Sequence, residues 1–303
     1  MMQVLAAFVR HPGECLDLSI PLRLRSKIIL AAVAASLVAP AIGSAAHAQG
    51  RLDARYTATL AGLPIGRGAW VIDIGDDKFL AAASGATAGL MRLFSSGEGT
   101  GASRGSIVNG QLVPASFVVN ISSTRRKSEV RIVLKSGAVK DLSVSPPVEP
   151  DPQRVPLREA HQRGVSDPMT ASLVRVTGNG NPLVPGSCQR TLSVFDGRMR
   201  YDLHLAYKRM DQVKAAKGYA GAALVCAVYF SPIAGHFPDR TAIKYLADLR
   251  DMEIWLVPIA GTTVLVPFRV TIPTPFGLGV LQATQFLTVA HRTRAATSGA
   301  TTQ

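Results

Sequence analysis

Ser103 sits in Gly101-Ala102-Ser103-Arg104-Gly105, a match to the G-x-S-x-G pattern that carries the nucleophile of many serine hydrolases. That pattern works when a strained strand-to-helix turn lifts the hydroxyl clear of the backbone. Here it follows Ser95-Ser96-Gly97-Glu98-Gly99-Thr100 and runs into Ser106-Ile107-Val108, with no helical pattern after it. In so Gly- and Ser-rich a stretch the match comes cheaply, and the Gly101–Ser103–Gly105 coincidence is read as fortuitous. No G-x-x-x-x-G-K-[ST] loop accompanies these glycines, so a phosphate cradle is not supported. His161, His204, His236 and His291 are scattered, with no H-E-x-x-H or H-x-x-x-H spacing. No catalytic residue, metal site or cofactor is expected.

The next candidates are charges and thiols. The 303 residues carry 33 Lys and Arg against 20 Asp and Glu, a net +13, and 47% are apolar. That apolar content excludes a wholly disordered chain and supports a core of domain size. Arg23, Arg25 and Lys27 precede an Ala-rich apolar run over residues 28–42, followed by Ala46-His47-Ala48. A basic flank, a short apolar run and an A-x-A site make a secretory signal, with cleavage expected after Ala48 at the Ala46/Ala48 pair. A retained anchor is the alternative, because residues 28–48 nearly reach the length of a bilayer span. Pro40 and Gly43-Ser44 favour cleavage, and no span is expected to remain afterwards. The leader holds four basic and two acidic residues, so the rest keeps 29 against 18, or +11. Export removes nucleic acid as a partner and leaves anionic or apolar envelope components. It also removes Cys15. Cys188 and Cys226 remain, an even pair that an oxidising compartment is expected to join as a disulfide. A metal or redox pair would need C-x-x-C spacing or nearby His, which are absent.

These residues must be positioned by strands. Tyr56, Ala58 and Leu60 alternate with Arg55, Thr57 and Thr59, and a Gly62-Leu63-Pro64-Ile65-Gly66 turn leads into residues 69–74. Such runs around Gly/Pro turns read as β-hairpins. Further strands are expected over residues 78–83, 117–122, 130–135, 139–144, 191–195, 200–207, 222–230, 252–257, 264–272 and 278–288. Asp196-Gly197 marks a hairpin, and Arg125-Arg126-Lys127 a solvated hairpin tip. Only two short helices are expected: residues 86–94, presenting Leu90, Leu93 and Phe94, and residues 168–175, with Asp167 as N-cap and Pro168 in the first turn. Residues 145–167 read as a Pro-rich loop and residues 292–303 as a disordered tail.

The ordered set of motifs resembles a bacterial family of uncharacterised proteins, domain of unknown function 3108. It is carried by Tyr56 to Gly66 (YTATLAGLPIG), Gly89-Leu90-Met91-Arg92-Leu93-Phe94 and Asp167 to Leu173 (DPMTASL). Cys188, Val194 to Leu203 (VFDGRMRYDL), Cys226 and Glu253-Ile254-Trp255-Leu256 complete it. The resemblance implies a β-rich periplasmic protein and brings no site residues with it.

The expected architecture is all-β. A curved antiparallel sheet forms an open half-barrel or incomplete barrel with one or two short helices, as one domain over residues 49–291 after a signal and leader over residues 1–48. The expected function is binding a lipid or other apolar envelope ligand on the concave face, with Leu90, Leu93 and Phe94 as lid contacts or, alternatively, as core. A structural or interaction protein of the envelope without a small ligand is the second expectation.

Overall fold

Alternation builds the molecule. In β1 (Gly50–Leu60) Leu52, Ala54, Tyr56 and Ala58 are buried while Arg51 and Arg55 are exposed. β6 (Lys127–Lys135) repeats this with Val130, Ile132 and Leu134 inside, and Glu129, Arg131 and Lys135 outside. The computed structural model describes residues 49–89, 96–124, 126–178 and 180–291. The expected leader and cleavage residues, the tail, and Leu90, Leu93 and Phe94 all lie outside the described residues.

The remaining N-terminal strands are β2 (Leu63–Ile74), β3 (Lys78–Thr87), β4 (Gly97–Val108), β5 (Gln111–Ser123) and β7 (Ala138–Ser145). The C-terminal part holds α1 (Pro168–Ala171), β8 (Val174–Arg175), β9 (Arg190–Phe195), β10 (Arg200–Lys214), β11 (Lys217–Gly218) and β12 (Ala220–Ala234). It ends with α2 (Thr241–Asp248), β13 (Met252–Pro258), β14 (Val264–Thr274) and β15 (Gly277–Ala290). The strands form one sheet in the order β7-β6-β5-β4-β3-β2-β1-β15-β14-β13-β12-β10-β9, with β8 on β14 and β11 on β15. First and last strands are neighbours: β1 pairs β15 from Gly50↔Ala290 to Leu60↔Gly279. All pairings but the short β11–β15 contact are antiparallel.

The ends of this sheet, β7 and β9, do not pair with each other. Residues 163–166 cross between them instead. Arg163 bridges Ala138, Ser166 bridges Val194, and the Val165 N–H donates to the Gly137 carbonyl at 2.9 Å. The sheet is therefore an unclosed antiparallel one, matching the open sheet expected above, with a strap across the gap. Gly197 in the β9–β10 turn has φ +90°, and a Cβ there would lie 2.4 Å from Val130. Only glycine fits both that turn and that approach.

Two apolar layers result. One face packs Leu52, Ile72, Phe79, Phe117, Ile132, Trp255, Phe268 and Phe286 into a single cluster. On the opposite face of β10 and β12–β14, a second cluster gathers Leu205, Leu224, Cys226, Ile254, Leu256 and Leu265 beneath Val174 and Cys188. Strands covered on both sides read as continuous apolar runs, as residues 223–227 do. The segment over that face is pinned by a Cys188–Cys226 disulfide with Cα atoms 5.6 Å apart.

The helices differ from expectation. Ala86 and Thr87 belong to β3 and pair with Glu98 and Gly66, so the proposed helix over residues 86–94 does not begin there. The second helix stops after Ala171, because Val174 and Arg175 are drawn into pairing with Leu265 and Val264. Asp167 does cap it: its carboxylate accepts from the N–H groups of Met169 and Thr170, each at 2.9 Å. β4 and α2 were not foreseen.

Candidate apolar-ligand site

A cavity of about 300 Å³, in the size range of small-molecule sites, opens among the C-terminal strands and the two helices. β9 and β10 supply Leu192, Val194, Tyr201, Leu203 and Leu205. β12–β14 add Val228, Phe230, Ile254, Val270 and Ile272. Phe117 and Val119 come from β5, and Pro168, Ala171 and Ser172 from α1 and its C-cap. α2 turns Ala242, Ile243 and Leu246 towards it and leaves Lys244 and Asp248 exposed. None of the α2 residues is fully buried, and Tyr245 ties the helix to the rim by donating to the Pro273 carbonyl at 3.2 Å. The helix thus lines this side of the cavity, while Leu90, Leu93 and Phe94 of the expected lid lie outside the described residues.

Few polar groups reach this space. Glu253 is held by both guanidinium nitrogens of Arg209 at 2.9 Å and by Lys208. Those cations push its carboxyl down to about 2. Arg209 also lies over the Trp255 ring, 5.4 Å from its centroid, and the Trp255 indole N–H donates to Asp211 at 2.8 Å. Asp196 Oδ1 accepts the N–H groups of Arg198 and Met199, fixing the β9–β10 turn. Ser172 donates to the Pro168 carbonyl. Tyr201 is 7% exposed, its ring 5.5 Å from Phe230. Burial, with the charges of Asp196 and Asp167, pushes its phenol upward.

The Ser103 motif has a different role from the one its pattern names. Ser103 lies mid-strand in β4, 1% exposed, and does not line the cavity. Its hydroxyl donates to Asp167 Oδ2 at 2.9 Å and lies 2.8 Å from Thr170 Oγ1, which itself donates to Asp167 at 2.6 Å. Asp167 is fully buried, and desolvation raises its pKa despite these four hydrogen bonds. A strand interior offers neither a nucleophile elbow nor access for substrate. The cluster instead fastens α1, and so one wall of the cavity, to β4.

The histidines stay apart. His161 Nδ1 accepts from the Arg158 N–H, His204 pairs with Thr191, and His236 is a buried loop residue. Among the described residues no three His, Cys, Asp or Glu side chains gather as metal ligands. Arg126 and Lys127 stand exposed at the β5–β6 turn, as expected of a hairpin tip; Arg125 lies outside the described residues.

A family model described as Protein of unknown function (DUF3108) matches residues 55–284. The chain belongs to the DUF3108 family. The DUF3108 match begins in β1 and ends in β15, so it takes in every element that lines the cavity. A solved structure similar to this chain is a beta-barrel-like protein of domain of unknown function DUF1849 from Brucella abortus. The two share 10% identity over 80% of this chain and 98% of that one, with a TM-score of 0.45. No curated protein matches the chain. Among the described residues no helix is long and apolar enough to cross a membrane.

Proposed function

We propose that this DUF3108 member is an exported protein of the cell envelope that holds one apolar chain in the cavity beneath α2. The observation that carries the reading is the lining itself: of some two dozen side chains, nearly all are aliphatic or aromatic. A void about half this size, lined by Leu, Ile and Phe, stays dry and takes up benzene. Each methylene transferred from water is worth about 0.8 kcal/mol, so about ten give ~8 kcal/mol, the micromolar range before ordering costs. Export draws support from Arg23, Arg25 and Lys27, the apolar run behind them and Ala46-His47-Ala48, and from the Cys188–Cys226 disulfide.

Titration of the purified protein with the fluorophore 1-N-phenylnaphthylamine tests the reading. Saturable enhancement is expected at one site per chain, and Val228→Trp, which fills the cavity, is expected to remove it. Absence of saturable binding by the wild type overturns the proposal. Export is tested by sequencing the N-terminus of protein recovered from the periplasm, which is expected to begin at Gln49.

A second reading, an envelope interaction protein, draws on Phe276 (79% exposed) and Leu63 (59% exposed). They stand on neighbouring turns, joined where the Ala61 N–H donates to the Leu278 carbonyl at 3.0 Å. Crosslinking in intact cells through those positions separates it from the first.

A further inference from the structure

We propose that the cavity selects apolar chains ending in a hydrogen-bond-donating, non-anionic head group, an alcohol or a protonated amine, over fatty acids. This inference rests on the cavity reading above and specifies its ligand. No Lys, Arg or His lines the cavity. Its polar groups are two carboxylates, a phenol and one serine hydroxyl, and two of these are committed. Ser172 is bound to the Pro168 carbonyl, and Glu253 has both oxygens on Arg209 with Lys208 beside them.

The others lie together at the β9–β10 turn. Asp196 uses Oδ1 for the turn, and its Oδ2 makes no hydrogen bond among the described residues. The Tyr201 hydroxyl, on a side chain more than nine-tenths buried, likewise has no partner among them. The negative charges of Asp196 and Asp167 both act on this phenol. Arg198 feels the charge of Asp196, but its guanidinium makes its hydrogen bonds away from the cavity, which it does not line. Arg198 donates to Ser128 and to the carbonyls of Ser145 and Pro146, and Arg200 pairs with Asp202.

A hydroxyl or ammonium entering here finds two acceptors, Asp196 Oδ2 and the Tyr201 oxygen. An ionised carboxylate finds only the Tyr201 O–H as donor. It would lose its hydration with no cationic side chain lining the cavity to pair with it, beside charges of its own sign. Site polarity of this kind discriminates far better than chain length, where one methylene changes affinity only modestly.

Competition against bound 1-N-phenylnaphthylamine at pH 8 tests this with 1-dodecanol, dodecylamine and dodecanoate, each below its aggregation concentration. The alcohol and amine are expected to displace the probe at concentrations at least about tenfold below dodecanoate. Asp196→Asn keeps the Oδ1 acceptor that the turn needs and removes the charge. It is expected to narrow the amine-to-carboxylate ratio by about tenfold, and Tyr201→Phe to weaken dodecanol several-fold. Far-UV circular dichroism and melting temperature report that each variant is folded, and each competition is referred to that variant's own affinity for the probe. Dodecanoate competing as well as the alcohol, or a ratio unmoved by Asp196→Asn, overturns the head-group inference while leaving the cavity reading intact. Failure of the wild type to bind the probe at all overturns both.

Discussion

Asp167 shows how one residue holds a wall of the cavity. Its carboxylate caps α1 with Oδ1 and receives Ser103 and Thr170 with Oδ2, all in the interior. Ser103→Ala removes one of these bonds and is expected to lower stability by about 1–2 kcal/mol in urea unfolding. Asp167→Ala removes the cap and strands two hydroxyls, and is expected to be worse than Asp167→Asn. Burial raises the Asp167 pKa, so the native state holds this proton more tightly than the unfolded chain. Its contribution therefore declines as pH rises through the usual Asp range to the raised value, and Asp167→Asn is expected to gain on the wild type over that interval. Glu253 has the opposite sign. Its pKa falls to about 2, so the stability from Arg209 and Lys208 is complete above the usual carboxylate range, near 4.3, and is lost as pH drops towards about 2. Glu253→Gln is expected to flatten that acid limb. The N-cap at Asp167 was legible in the sequence because capping is local. The Ser103 partnership was not, since it joins residues 64 apart.

At the scale of elements, β4 and α2 explain what the sequence withheld. β4 reads GEGTGASRGSIV, too poor in β-branched and aromatic residues to register as a strand. Its glycines answer to packing. A Cβ on Gly101 would meet Met169 of α1 at 3.2 Å, and one on Gly105 would lie 2.1 Å from the Val113 carbonyl. Gly105→Ala is expected to destabilise by about 1–3 kcal/mol or more, while Gly186→Ala, where nothing stands within 4 Å, is expected to be near neutral in the same assay. α2 is short, and Arg240 occupies its N-cap without a side-chain hydrogen bond, so no start signal marks it. Its apolar face, Ala242, Ile243 and Leu246, spans barely two turns, too short to stand out in the sequence. Because no α2 residue is fully buried, Leu246→Asn is expected to weaken probe binding clearly while shifting the melting temperature by no more than about 2–4 °C.

The whole molecule follows more directly from its sequence. Alternation such as that of Val130, Ile132 and Leu134 fixes which face is buried, and short Gly turns make neighbours of consecutive strands. The pairing of β1 with β15 and the strap over residues 163–166 join segments far apart in the chain, and no local pattern announces them. The Cys188–Cys226 bond closes a loop across 38 positions, worth roughly 3–4 kcal/mol in the chain-entropy account. The double replacement Cys188→Ala, Cys226→Ala is expected to lower unfolding free energy by about that amount. All of this scaffolding serves one claim, that the space under α2 is a binding site. Native mass spectrometry of the protein released gently from its own cells tests that claim most directly. The expected spectrum carries an added apolar species, at most one per chain, that disappears in Val228→Trp. A wild-type spectrum holding only the bare polypeptide mass would contradict it.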